Sequence, residues 1–240
     1  MDLSNSRFRV LLEPRGFIRF LQFILSIVAF ATASGFSTIV KFHINCDNKD
    51  PFSVDYPVDY PFRIDEHENT FTDCANVTRN AKIEGDFSPS AQWFVSVGVF
   101  SFLLSLASMV FYVLFESSYR LSHERIITIG DFAITCLFTF FWLTAASAWA
   151  KAANDLKHFT SQDYLVKLPP FDEVCTKPEF CRTSQLASSK MSASVAFGFL
   201  NMFLWASNIW FVYKESPLHP EPNKGVESGN IQQGAPQNTM

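Results

Sequence analysis

Four apolar blocks, each long enough to cross a bilayer as a helix, constrain this chain more than any other feature. They run Phe17–Val40, Ala91–Phe115, Ile126–Ala150 and Ser192–Tyr213. A helix needs about 20 consecutive apolar residues to span the hydrocarbon layer. Helices of soluble domains average only about 11–12 residues. Inside the four blocks the only charges are Arg19 and Asp131. Composition agrees: 27 of the 240 residues are Phe, and 18% are charged, against a usual share of about 25%. The net charge of −4, with no basic block, argues against a nucleic-acid partner. Trp93, Trp149, Trp210 and Tyr213 lie near block ends, where interfacial aromatic belts form. The chain reads as an all-α membrane protein, a four-transmembrane-helix bundle.

Four crossings place both termini on one side. The divisions are a cytosolic N-terminus (1–16), a membrane domain (17–213) and a tail (214–240). Within the membrane domain the connections are two long loops, 41–90 and 151–191, and a short one, 116–125. The tail is rich in Pro, Gly, Gln and Asn and is expected to be disordered and cytosolic. Arg7, Arg9, Arg15 and Arg19 flank the first block against only Asp2 and Glu13, which favours a cytosolic start. The first long loop carries ten acidic and five basic residues, which suits the opposite side. Ala31-Thr32-Ala33 resembles a signal-peptidase site, but the apolar run exceeds the 7–15 residues typical of a signal core. An uncleaved first span is expected.

Cysteine placement supports the same orientation. Cys46 and Cys74 fall in the first long loop and Cys175 and Cys181 in the second; Cys136 lies within a span. Two cysteines per loop read as disulfides in an oxidising lumen. Within-loop pairing is preferred among three possible connectivities. Asn76-Val77-Thr78 is an N-glycosylation sequon in the first loop, again pointing to the lumen.

No phosphate loop, zinc-protease, nucleophile-elbow or EF-hand spacing occurs, and the five histidines are scattered. The chain reads as a non-enzyme without cofactor or metal. The acidic run Asp65-Glu66-His67-Glu68 reads as a solvated face rather than a cation site.

The spans are more informative. Helices in lipid associate through small residues and interhelical hydrogen bonds. The second block sets Gly98, Ser101, Ser105 and Ser108 along one seam, and the first sets Ala29, Ala33 and Ser37 in steps of four. In the fourth, Ser194, Asn201 and Asn208 recur at intervals of seven and share one helix face. Amides have no partner in hydrocarbon, so this face is expected to meet another helix or subunit. Asp131, an intramembrane charge, is about one and a half turns from the cytosolic end. It is expected to reach the interface or pair with Arg125 or Arg120. Leu114, Tyr119 and Arg125 fit a loose cholesterol-contact pattern.

Several words, in order along the chain, resemble the physins, the synaptophysin-like and pantophysin-like tetraspan vesicle proteins with a MARVEL-type membrane domain. They include Glu13-Pro14-Arg15-Gly16-Phe17, Tyr60-Pro61-Phe62-Arg63, Gly85-Asp86-Phe87-Ser88 and Ser147-Ala148-Trp149-Ala150-Lys151. The longest are Phe197-Gly198-Phe199-Leu200-Asn201-Met202 and Trp210-Phe211-Val212-Tyr213-Lys214-Glu215. The resemblance implies a protein of secretory or synaptic-type vesicles that forms homo-oligomers and associates with cholesterol. It also implies a part in trafficking and exocytosis, with contact to a synaptobrevin-like fusion protein. The sequence departs from the neuronal pattern in its short, tyrosine-free tail. Ala33-Ser34 also stands where a Cys-Gly pair is usual. Alternatives from other classes are a vesicle channel or transporter and a junctional tetraspan protein.

Overall fold

A computed structural model describes residues 14–46, 49–119, 124–175 and 180–215. Four long helices carry the membrane domain: α1 (Pro14–Ser34), α2 (Ser88–Tyr119), α3 (Glu124–Phe159) and α6 (Ser188–Glu215). All four are long and apolar enough to cross a membrane. Helix α1 packs on α2 and α6, and α3 packs on the same two, so α1 and α3 lie diagonally opposite.

The lengths differ from the sequence blocks in two informative ways. Helix α1 stops at Ser34, and the chain enters strand β1 (Ser37–Cys46) three residues later. The end of the first apolar block is therefore strand, and Ser37 is no helix position. Helix α3, with 36 residues, is about 54 Å long. That exceeds the roughly 30 Å hydrocarbon layer, so α3 continues past Ala150 as a post beneath the loops. Ala152 and Leu156 on this extension are buried.

The two long loops are not irregular, as an all-α reading implies. They fold together into one small unit. Strand β1 is central in a three-stranded antiparallel sheet, between β2 (Lys49–Asp59) and β5 (Cys181–Thr183). A second hairpin pairs β3 (Glu68–Thr72) with β4 (Thr78–Lys82). Short helices α4 (Gln162–Leu165) and α5 (Phe171–Val174) precede β5. The sheet follows from period-two alternation: Val40, Phe42 and Ile44 on β1, and Val54, Tyr56 and Val58 on β2, are buried, while Lys41, His43 and Asp55 face out. Pro51 and Pro57 are tolerated because β2 is an edge strand of its sheet, where a missing N–H costs little.

Aromatic rings fill the space between sheet, hairpin and second loop. Phe171 of α5 meets Phe42 at 4.6 Å and stacks on Phe71 at 5.3 Å between centroids. Phe62 joins this layer to the bundle, 4.9 Å from Trp149. The molecule is predominantly helical, with four candidate spans and a disulfide-braced cap on one side.

Candidate functional site

The cap is closed covalently. Cys46 at the end of β1 is bonded to Cys74 in the hairpin turn, with Cα atoms 5.7 Å apart. Cys175 after α5 is bonded to Cys181 of β5, with Cα atoms 5.8 Å apart. Both pairings are within loops. Cys136 is a free thiol on α3.

Between the disulfides lies an ionic clasp. The Asp73 carboxylate accepts the backbone N–H of Val77 at 2.9 Å and of Ala75 at 2.8 Å. It also accepts from Arg79 Nε at 2.7 Å. These donors, Val77 first, hold the Asp73 carboxyl below the usual carboxylate range because each stabilises the charged form. Arg79 also pairs with Glu173 of the second loop, which raises the guanidinium further, after its bond to Asp73. One arginine thus ties the hairpin to the other loop. Asn76 sits exposed at the tip of this turn with φ of 64°, a left-handed conformation that asparagine tolerates. Asp86 performs a similar task at the start of α2. Its carboxyl is lowered by the Ser88 hydroxyl and backbone N–H.

The sequence-predicted interface residues are drawn mostly into the chain's own bundle. Gly98 lies against Phe30 of α1, where an added Cβ would stand 2.8 Å from the Phe30 Cβ. Ser101 instead faces α3 and accepts the Trp142 indole N–H at 3.2 Å. The second-span seam thus serves two neighbours. Ser105 is fully buried, and Ser108 is half-buried. Ala29 and Ala33 are buried in the core. Ser194 accepts the Trp149 indole N–H at 2.8 Å and donates to the Met191 carbonyl at 2.7 Å. Asn201 and Asn208 are buried, and Asn201 Nδ2 donates to the Phe197 carbonyl of its own helix at 2.9 Å. Their face points into this bundle, so of the two expected partners, another helix or a subunit, it meets helices of its own chain. Trp149, expected in an interfacial belt, is 0% exposed; Trp93 and Trp210 remain exposed on the bundle surface.

Asp131 pairs with Arg19 of the diagonal helix α1, while the expected pairing with Arg125 or Arg120 falls outside the described residues. Arg120 and the side chain of Arg125 lie outside the described residues, as do the side chains of Leu114 and Tyr119. So do the tail from 216 and the N-terminal segment before 14. Arg19 is 1% exposed. It also donates to Gln22 Oε1 at 3.1 Å and Thr135 Oγ1 at 3.3 Å, and its guanidinium stands 5.1 Å from the Trp205 ring centroid. Arginines near helix ends usually extend toward the interface. This one turns inward, because Asp131, Thr135 and the Trp205 face neutralise and solvate it there. Sequence reading flagged Asp131 but took Arg19 as part of the basic flank. The usable signal was that both charges sit about one turn inside their spans on the same side.

Taken together, the molecule offers no reactive constellation among the described residues. It offers a closed interior, a lipid-facing exterior rich in Phe and Leu, and a covalently braced cap. A family profile described as "MARVEL: Membrane-associating domain" matches residues 10–211, which takes in α1, α2, α3, the whole cap and all but the last four residues of α6. The chain therefore belongs to the MARVEL family of membrane-associating domains.

Proposed function

We propose that this protein is a multi-pass component of secretory or synaptic-type vesicles that works as a structural and interaction element in trafficking and exocytosis. The observation that carries the reading is the cap: two disulfides, Cys46–Cys74 and Cys175–Cys181, lie on one side of a four-span bundle. Such bonds persist in an oxidising compartment, so the cap belongs in the lumen and both termini in the cytosol. The exposed turn at Asn76 suits N-glycosylation from that side. The lipid-facing surface, including Phe100, Phe140, Phe203 and Trp210, is where copies of the chain, cholesterol and a synaptobrevin-like fusion protein would meet it. With Asn201 and Asn208 used internally, lateral contacts fall to these outer residues. A structural role is favoured over a channel because Trp142, Trp149 and Trp205 fill the bundle interior.

Protease protection on isolated vesicles tests the reading. Trypsin added outside should remove the tail and spare a cap whose mobility shifts on deglycosylation and on reduction. A cap cleaved in intact vesicles, or a protein that fractionates with cell junctions instead, would refute it.

A further inference from the structure

Asn76 is exposed, yet much of the backbone around it is engaged. Its N–H donates to the Asp73 carbonyl at 3.1 Å. The Val77 N–H donates to the Asp73 carboxylate at 2.9 Å, and the Val77 carbonyl accepts from the Asp73 N–H at 2.9 Å. Thr78 is the first residue of β4 and pairs with Thr72 across the hairpin. All three residues of the sequon are thus held in one closed turn. The turn is secured twice over. Asp73 is buried and also binds Arg79, and the Cys46–Cys74 bond lies two residues before Asn76.

An enzyme that glycosylates this motif must read Asn76 and Thr78 together, since both define it. To grip both side chains it must take hold of the backbone between them. In the folded cap the residue between them, Val77, gives both its N–H and its carbonyl to Asp73. The Asn76 side chain can therefore carry a glycan on the folded cap, but the sequon cannot be presented to the enzyme there. Chain order then sets a contest. Cys46 precedes Cys74 by 28 residues, and Asn76 follows Cys74 by two. Residues are added at about 5–20 per second, whereas disulfides form over seconds to hours. The sequon is open for that interval only.

We infer, on the lumenal placement proposed above, that Asn76 is glycosylated only before the Cys46–Cys74 bond closes, so that oxidation of the first loop ends the period in which the glycan can be added. In the first step the Asn76 amide nitrogen bonds to the anomeric carbon of a lipid-diphosphate-linked oligosaccharide. The lipid diphosphate leaves and the nitrogen loses a proton. In the second step the two thiols give two electrons and two protons to a disulfide of a lumenal oxidoreductase, which becomes a dithiol. A chain that oxidises first keeps a bare cap.

Translation of the full chain into microsomes tests this order. Transfer is blocked during synthesis with an excess of a short Asn-X-Thr acceptor peptide, which is then washed out. Late glycan is read as a mobility shift that an endoglycosidase removes. Asn76-Val77-Thr78 is the one sequon in the chain, so a single shift is expected. Oxidised wild type should gain roughly tenfold less late glycan than the same chain held in dithiothreitol, because its turn opens only by local unfolding. Cys46→Ser with Cys74→Ser should gain the glycan under both conditions. Cys175→Ser with Cys181→Ser should behave as wild type, which separates closure of this turn from general loss of cap structure. Equal late glycan on oxidised and reduced wild type overturns the order and leaves the lumenal placement intact. So does a Cys175→Ser/Cys181→Ser chain that is readily glycosylated when oxidised. A chain that takes no glycan in any form, even without the block, overturns both.

Discussion

The indole N–H of Trp149 donates to Ser194 Oγ at 2.8 Å, joining α3 to α6 where the bundle meets the cap. Both residues are 0% exposed. Ser194→Ala would leave that N–H without an acceptor, at a cost of about 1–3 kcal/mol. Thermal unfolding of detergent-solubilised protein should show a clear drop in midpoint. Ser207→Ala, which removes an exposed hydroxyl bonded only within its own helix, should leave the midpoint nearly unchanged.

The Arg19–Asp131 pair predicts an asymmetric mutational pattern. Removing one partner strands a buried charge, and such changes cost about 3–5 kcal/mol. Asp131→Leu, which takes the carboxylate from the buried Arg19 guanidinium, should destabilise strongly, and Arg19→Leu less, because the Asp131 side chain is 25% exposed. The double change Arg19→Leu with Asp131→Leu should recover much of the Asp131→Leu loss, because the buried guanidinium is then gone. A double-mutant cycle on unfolding free energies checks this. Additive losses would mean that the two residues act separately.

Glycine positions in the spans separate contact from tolerance. A Cβ on Gly198 would lie 2.6 Å from Cε2 of Phe94 and 3.2 Å from the Ala146 Cβ. Gly198→Ala should therefore cost about 1–3 kcal/mol through overpacking. A Cβ on Gly130 meets nothing within 4 Å. Gly130→Ala should be neutral or stabilise by up to about 1 kcal/mol through helix propensity. Melting temperatures of the two variants would rank in that order on either side of the wild type.

The clasp at Asp73 sets a pH response. Its carboxyl is held below the usual carboxylate range by the Val77 N–H, Arg79 and the Ala75 N–H. The ionised form thus stabilises the folded turn at every pH above the ordinary value, and that contribution is lost only as pH falls through the lower folded value. Amide exchange at Ala75 and Val77 should stay protected from about pH 7 to about pH 5 and weaken only below about pH 4. Asp73→Asn should abolish the plateau. Loss of protection already near pH 6 would contradict the assignment.

How much of this was legible beforehand depends on sequence distance. Span length is a local property, so the four helices could be read directly from apolar blocks. The cysteines' positions made within-loop pairing the preferred of three connectivities, and both bonds are of that kind. The sheet was harder. Val54-Asp55-Tyr56-Pro57-Val58 alternates plainly, but the matching run Val40-Lys41-Phe42-His43-Ile44 straddles the boundary between the first apolar block and the first loop, which hides its period. The ion pair was out of reach, because 112 residues separate its partners and only the diagonal packing brings them together. Trp149 misled for a similar reason. Its position near a block end suggests an interface, yet α3 runs on for ten more residues to Phe159, and the cap covers the ring.

Helix α1 passes into the central strand β1 through only Gly35 and Phe36, and Phe36 is buried against Phe62 at 5.7 Å. A junction that short and that firmly seated acts as a rigid elbow. Because Phe62 also packs on Trp149 of α3 at 4.9 Å, the cap links the outer ends of two diagonal spans and resists their tilting apart.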